Sequence, residues 1–147
     1  MSDALLGIVA QRLARRICSE CAEPYTPKEA DLKVLGLEPE QANLSGWRRG
    51  RGCSRCFNSG YLGREAIVEL LDIDDTVREI IYEGTITQLN RYLREINFAS
   101  FRIAAIEKVT SGLTTLEEVL RVIPRSALCN KSLSKERPSH IKPVRFS

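Results

Sequence analysis

Four cysteines stand in two pairs, Cys18-Ser19-Glu20-Cys21 and Cys53-Ser54-Arg55-Cys56. A Cys-x-x-Cys turn presents two thiolates to one ion, and two such turns supply four soft sulfur ligands. That set makes a closed tetrahedral Zn²⁺ site. With Cys18, Cys21, Cys53 and Cys56 filling every position, no water can bind the metal and be activated, so the zinc is expected to be structural. The 31 residues between the inner cysteines, 22 to 52, exceed the roughly 15–20 of the common ribbon spacing. The metal is therefore expected to pin the two ends of a small inserted module. No export signal is visible: Ala4–Ala10 is apolar, but Gln11 and Arg12 break it and no small-residue cleavage site follows. Without one, paired cysteines read as metal ligands before disulfides. A redox Cys-x-x-Cys usually sits near a βαβ pattern, and neither pair does. The fifth cysteine, Cys129, falls in the tail and reads as a bystander.

Other chemistry is missing from the sequence. No Gly-x-x-x-x-Gly-Lys-Ser/Thr string is present to cradle phosphate. The single histidine, His140, excludes a His-based triad or a His-ligated catalytic zinc. Ser54 and Ser59 read as turn residues. Asp72, Asp74 and Asp75 could suggest Mg²⁺, but helix capping explains them better. No catalytic or cofactor-binding residue is assigned. The net charge of +3 divides unevenly: residues 1–123 hold 16 Lys/Arg and 18 Asp/Glu, and residues 124–147 hold six and one. The near-neutral body gives no general case for nucleic-acid binding. No run approaches the ~18 apolar residues of a membrane span.

The elements that must position the cysteines follow from pattern. Met1–Ile17 is ambiguous: Leu6, Val9, Leu13 and Ile17 suit a helix face, while Val9, Leu13 and Ile17 also suit a strand. Its apolar start, with no cap or turn ahead, reads as part of something longer. Thr26-Pro27-Lys28-Glu29 predicts a helix with Thr26 as N-cap, Pro27 first and Glu29 closing a capping box, running to about Leu35 and stopping at Gly36. Pro39 to Gly46 is a loop or short helix. Trp47 leads into Arg48-Arg49-Gly50-Arg51-Gly52, whose glycines let amides turn toward sulfur and whose arginines can offset the roughly −2 charge of a Zn(Cys)₄ centre. Ser59–Gly63 is a turn, and Arg64–Leu71 a strand.

Helices then follow in quick succession. Asp74 caps one to Tyr82–Glu83, with Val77, Ile80 and Ile81 inward. Thr85–Gln88 is a capping box for a second that buries Leu89, Leu93 and Ile96. Ser100 starts a third, with Phe101, Ala104, Ala105 and Val109 inside and Gly112 beyond its end. Thr115–Glu118 is a further capping box, with Leu116, Val119, Leu120 and Ile123 as the stripe and Pro124 as the stop. Residues 124–147 show no period and read as a basic, disordered tail.

Ordered strings carry a resemblance. Leu6 to Cys18, Cys21-Ala22-Glu23-Pro24-Tyr25, Leu35-Gly36-Leu37, Arg49 to Cys56, Gly60-Tyr61-Leu62-Gly63-Arg64, Glu69-Leu70-Leu71, Lys108-Val109 and Gly112 to Val122 follow in the order of the type II secretion and type IV pilus assembly ATPases. The chain resembles the C-terminal portion of that family over about residues 5–123. The resemblance implies an α+β fold: a short antiparallel β pair with an inserted tetracysteine zinc module, then a C-terminal helical bundle, as a fragment of a RecA-like ATPase domain. It favours a strand around Gln11–Arg15, beside that around Arg64–Leu70. Residues 1–17 would edge the ATPase core, 18–56 form the zinc module, 57–73 return to the core, and 74–123 form the helical subdomain. Where the family usually has Gly-Met, then Asp-Gly, this chain has Asn97-Phe98 and Ala104-Ala105; Ala66 replaces a usual Gly.

The implied function is that of a structural and coupling part of a ring ATPase that powers pseudopilus or pilus assembly or protein secretion. ATP and Mg²⁺ belong to the full-length family protein, whose P-loop and acidic boxes lie upstream, so this chain alone is not expected to hydrolyse ATP. Implied partners are an ATPase core, neighbouring subunits of a homo-hexameric ring and an inner-membrane platform protein, all at a cytoplasmic location. The competing reading is a free-standing zinc ribbon binding nucleic acid through Arg48, Arg49, Arg51, Arg55 and the tail, with a steep salt dependence. A third is a decoy that caps the ring of a full-length ATPase.

Overall fold

The computed structural model describes residues 4–38 and 44–128. Cys129, His140 and the tail beyond Leu128 lie outside the described residues, as do 39–43. The chain runs β1 (Gly7–Ile17), β2 (Ala22–Pro24), α1 (Glu29–Val34), β3 (Arg48–Gly50), β4 (Tyr61–Asp72), α2 (Asp75–Glu83), α3 (Ile86–Glu95), α4 (Phe101–Thr110), α5 (Leu116–Val122) and α6 (Arg125–Leu128). This is the α+β arrangement implied by the resemblance.

The ambiguous first segment is a strand. β1 pairs antiparallel with β4 from Gly7 opposite Asp72 to Arg15 opposite Arg64, and an irregularity follows before Ile17 meets Tyr61. Directly opposite residues share a face of the ribbon. One face carries Ala14 and Ile67, both buried. The other carries Val9 beside Leu70, with Leu13 and Val68; all four are exposed. The residues whose three-and-four spacing mimicked a helix stripe, Leu6, Val9 and Leu13, are exposed, and Val9 and Leu13 lie on the uncovered face of a strand. A second, short ribbon pairs Ala22–Pro24 with Arg48–Gly50.

The core forms where the covered ribbon face meets helices. Ala14 and Ile67 cluster with Leu32 and Leu35 of the α1 turn, Trp47, Ala105 and Val109 of α4, Leu116 and Val119 of α5, Ile123 and Leu128. Residues between the cysteine pairs thus share one core with the late helices. Lys108 of α4 also pairs with Glu65 of β4.

Several expectations need correction. The α1 helix begins two residues later than Thr26 implies: Lys28 is the N-cap and its N–H donates to the Asp31 carboxylate at 3.1 Å. Glu29 does not close a box; it pairs with Lys33 one turn on, at 2.8 Å. The Thr85–Gln88 capping box is present, but α3 buries no residue: Leu89 and Leu93 are half-buried and Ile96 is exposed. Ile81 of α2 is exposed too. Val77 of α2 is buried as expected, but the strongly amphipathic α2–α3 hairpin lies outside the main core cluster, so the rest of its stripe lacks the cover that periodicity alone implied. α5 ends at Val122 with Ile123 extended, as expected ahead of Pro124, but a further short helix follows Pro124 where only tail was expected. The Pro124 carbonyl accepts from Ala127 N–H at 2.9 Å and opens α6, which buries Leu128.

Candidate metal centre

The four predicted cysteines come together. Their sulfurs all lie within 4.8 Å of one another, an arrangement that could hold one metal ion. Three edges of the cluster are Cys18–Cys53 at 3.9 Å, Cys21–Cys56 at 3.8 Å and Cys53–Cys56 at 3.7 Å. Disulfide sulfurs would be about 2.05 Å apart, and these cysteines are free thiols.

Two knuckles build the site. β1 delivers Cys18, and Ile17 N–H is anchored on Leu113 C=O at 2.9 Å. Cys21 N–H turns back to Cys18 C=O at 3.3 Å. In the second knuckle Asn58 N–H reaches Cys53 C=O at 2.9 Å, which requires Phe57 and Asn58 to sit at φ 52° and 59°. The knuckles are stitched by Cys18 N–H to Gly60 C=O at 3.0 Å and Arg51 N–H to Cys21 C=O at 2.9 Å. Gly50 permits this approach, since a Cβ there would lie 1.9 Å from Gly60 O.

Sulfur charge is met by backbone amides rather than by arginines among the described residues. Gly52 N–H donates to Cys21 Sγ at 3.3 Å, Cys53 N–H to Cys56 Sγ at 3.2 Å and Gly60 N–H to Cys56 Sγ at 3.3 Å. Burial would raise the Cys56 thiol, but the amides of Cys53 and Gly60 outweigh it and hold it at about 6. Burial dominates at Cys21, which is pushed up to about 12. The amides thus favour the thiolate form of Cys56. Arg49, counted among free basic residues in the sequence, bonds Glu23 at 2.7 Å and lies over the Tyr25 ring. That removes one of the cations on which nucleic-acid binding would depend.

One organising residue was missed. Glu118 was read as the far end of a capping box. Thr115 Oγ1 does accept from Glu118 N–H at 3.2 Å, but the carboxylate turns inward to β1. It accepts from Arg15 N–H at 3.0 Å and the Arg15 guanidinium, and from Arg121 at 3.0 and 2.9 Å. The side chain is fully buried, yet these donors overcome desolvation and hold its carboxyl at about 2. Arg15 also lies over the Tyr61 ring, 4.3 Å from its centroid, and Tyr61 O–H meets Thr115 at 2.8 Å. α5 is thereby clamped to the ribbon beside the cysteine centre. A signal was available: an acid inside the apolar stripe Leu116–Ile123, with arginines in the preceding strand.

The family described as type II/IV secretion system protein matches residues 1–121. The chain is 42% identical over 123 residues to type II secretion system protein E of Pseudomonas aeruginosa, covering 83% of this chain and 24% of that protein. It is 41% identical to the type IV pilus assembly ATPase PilB of Thermus thermophilus, covering 82% and 14%. It is 36% identical to type II secretion system ATPase E of Vibrio cholerae, covering 86% and 25%. The chain therefore spans a quarter or less of the length of these relatives. No helix among the described residues is long and apolar enough to cross a membrane.

Proposed function

Because the chain belongs to the type II/IV secretion system protein family, we propose that it is a zinc-stabilised structural and coupling segment of a secretion or pilus assembly ATPase. The observation that carries the proposal is the convergence of Cys18, Cys21, Cys53 and Cys56 beside a ribbon with an uncovered apolar face. A Zn–S bond of about 2.3 Å gives a tetrahedron with edges of about 3.8 Å, close to the three sulfur separations of 3.7–3.9 Å. The zinc is structural, since four thiolates leave no position for substrate or water. It ties both ends of the inserted module to the ribbon and, through Leu32, Leu35 and Trp47, to α4 and α5.

The ribbon supplies the coupling. Two strands with one apolar face in water are marginal alone. Val9, Leu13, Val68 and Leu70 are where an ATPase core would pack, with the ribbon extending its sheet. In a ring, motion of that core would reach α4 and α5 through Ile67, Lys108–Glu65 and the Glu118 clamp. ATP and Mg²⁺ would bind upstream of this segment, and the partners would be neighbouring ring subunits and an inner-membrane platform protein on the cytoplasmic side. The chain alone turns over no ATP.

The test is reconstitution. The purified chain is expected to carry one zinc and to show no ATP turnover. Mixed with the P-loop-bearing upstream part of a family ATPase, it is expected to co-elute, and a Val9→Ser/Leu70→Ser variant is not. Equal co-elution of that variant would sink the assignment of the ribbon face.

A further inference from the structure

We propose that the cleft between the first cysteine knuckle, β3 and the α4–α5 turn seats a carboxylate side chain from an acidic segment of a partner protein. The cleft holds about 240 Å³ and is lined by Arg16, Ser19, Arg48, Ser111, Gly112 and Leu113 among others, with no acidic residue in its wall. This goes beyond the metal and the ribbon, and it does not require either reading.

Arg16 and Arg48 both line the cleft, and neither has a carboxylate ion pair among the described residues, whereas Arg15, Arg49, Arg78 and Arg121 each have one. Neither is occupied with the cysteine centre, because the hydrogen bonds to sulfur come from backbone amides. Arg48 is held along its stem and Arg16 at its backbone, and both side chains are exposed. The Arg48 stem lies on Gly112, where a Cβ would come within 2.9 Å of Arg48 Cδ and where φ is +72°. Arg16 precedes Ile17, whose N–H is fixed on Leu113 C=O at 2.9 Å. A held stem leaves Arg48 less freedom to lose when it binds.

The cleft's chemistry selects among anions. The turn offers no crown of free N–H groups: Ser111, Gly112 and Leu113 donate to Glu107, Val109 and Lys108 carbonyls at 2.9–3.0 Å. The Ser111 hydroxyl also donates to Lys108 C=O, at 3.2 Å. The C-terminal end of α4 adds negative partial charge, which opposes a phosphate dianion more than a single carboxylate. The volume lies below the about 300 Å³ of the smaller cofactor pockets, yet it admits a Glu or Asp side chain. A planar carboxylate matches a guanidinium fork in a bidentate way. Once seated, it would bridge the first knuckle to the α4–α5 turn.

The test uses the metal-loaded full chain, ¹⁵N-labelled, titrated with N-acetyl hexaglutamate amide and followed at the arginine Nε–Hε signals and backbone amides. Saturable shifts are expected at Arg16, Arg48, Gly112 and Leu113. Arg16→Gln/Arg48→Gln is expected to weaken binding about tenfold or more with metal content and melting unchanged, while Arg91→Gln/Arg94→Gln on α3 leaves it unchanged. If the double variant does not fold, Arg16→Gln alone, which keeps the Arg48 stem on Gly112, is expected to weaken binding about threefold or more. Undiminished affinity in the folded variants, or shifts spread evenly over the arginines, would overturn the proposal. So would inorganic phosphate moving the same signals as strongly as the peptide, which would assign a phosphate site instead.

Discussion

Glu118→Gln is predicted to destabilise the chain by about 2 kcal/mol at pH 7, and the loss should fade in acid. The wild-type carboxylate is fully buried and accepts four hydrogen bonds, two from Arg15 and two from Arg121. Glutamine keeps the shape but removes the charge, and its NH₂ faces donors that it cannot satisfy. Holding a carboxyl at about 2 rather than at 4.5 corresponds to at most about 3 kcal/mol. The two guanidiniums are 46% and 56% exposed, so solvent screens the interaction and about 2 kcal/mol is the better figure.

The sign follows from linkage. The folded pKa lies below the unfolded one, so this stability is present above pH 4.5 and is lost as pH falls toward 2. Thiolate protonation and metal loss act in overlapping acid conditions on both proteins, so the quantity to read is the difference between them. Urea unfolding followed by the fluorescence of Trp47, the single tryptophan, which is buried, gives that difference at pH 7, 5, 4 and 3. A difference near zero at pH 7, or one of constant size down to pH 3, would refute the clamp.

Three further outcomes are expected. Cys53→Ser abolishes stoichiometric zinc binding, and hydrogen exchange then shows residues 18–56 losing protection before α4 and α5; unchanged zinc content and melting would count against the shared site. Gly50→Ala forces a Cβ to within 1.9 Å of Gly60 O, so it should displace the second knuckle and speed zinc loss to a chelator, while Gly7→Ala, at the far end of β1 where a Cβ meets Leu71 O only at 3.3 Å, leaves chelation kinetics alone. Ile67→Ala, on the covered face, should cost about 2–5 kcal/mol in urea unfolding, whereas Val68→Thr on the opposite face should cost under about 0.5; equal costs would mean the faces are assigned wrongly.

The sequence was most informative where chemistry fixes spacing. Two Cys-x-x-Cys turns named all four sulfurs, and the Asp74 and Thr85 caps stand where side-chain oxygens were expected to meet amides. It was less informative where partners are distant along the chain. β1 could not be told from a helix by period alone, because Val9, Leu13 and Ile17 fit both; the pairing with β4 decided it. The stripe of α3 was read as core, but a hydrophobic period records only that some surface covers it, and that surface is not among the described residues. Glu118 was hidden because its local role as a capping-box member was plausible, while its bonds to Arg15 span 103 residues. The Gly52 amide turns toward sulfur as the glycine pattern led us to expect; the Gly60 amide does so too, but Ser59–Gly63 read only as a turn, since backbone direction there follows from the folded knuckles.

Zinc K-edge absorption on the purified full chain tests the central claim most directly. The account predicts one zinc per chain with four sulfur neighbours at about 2.3 Å. A shell that includes nitrogen or oxygen ligands, or a chain that is fully folded with no metal at all, would contradict it.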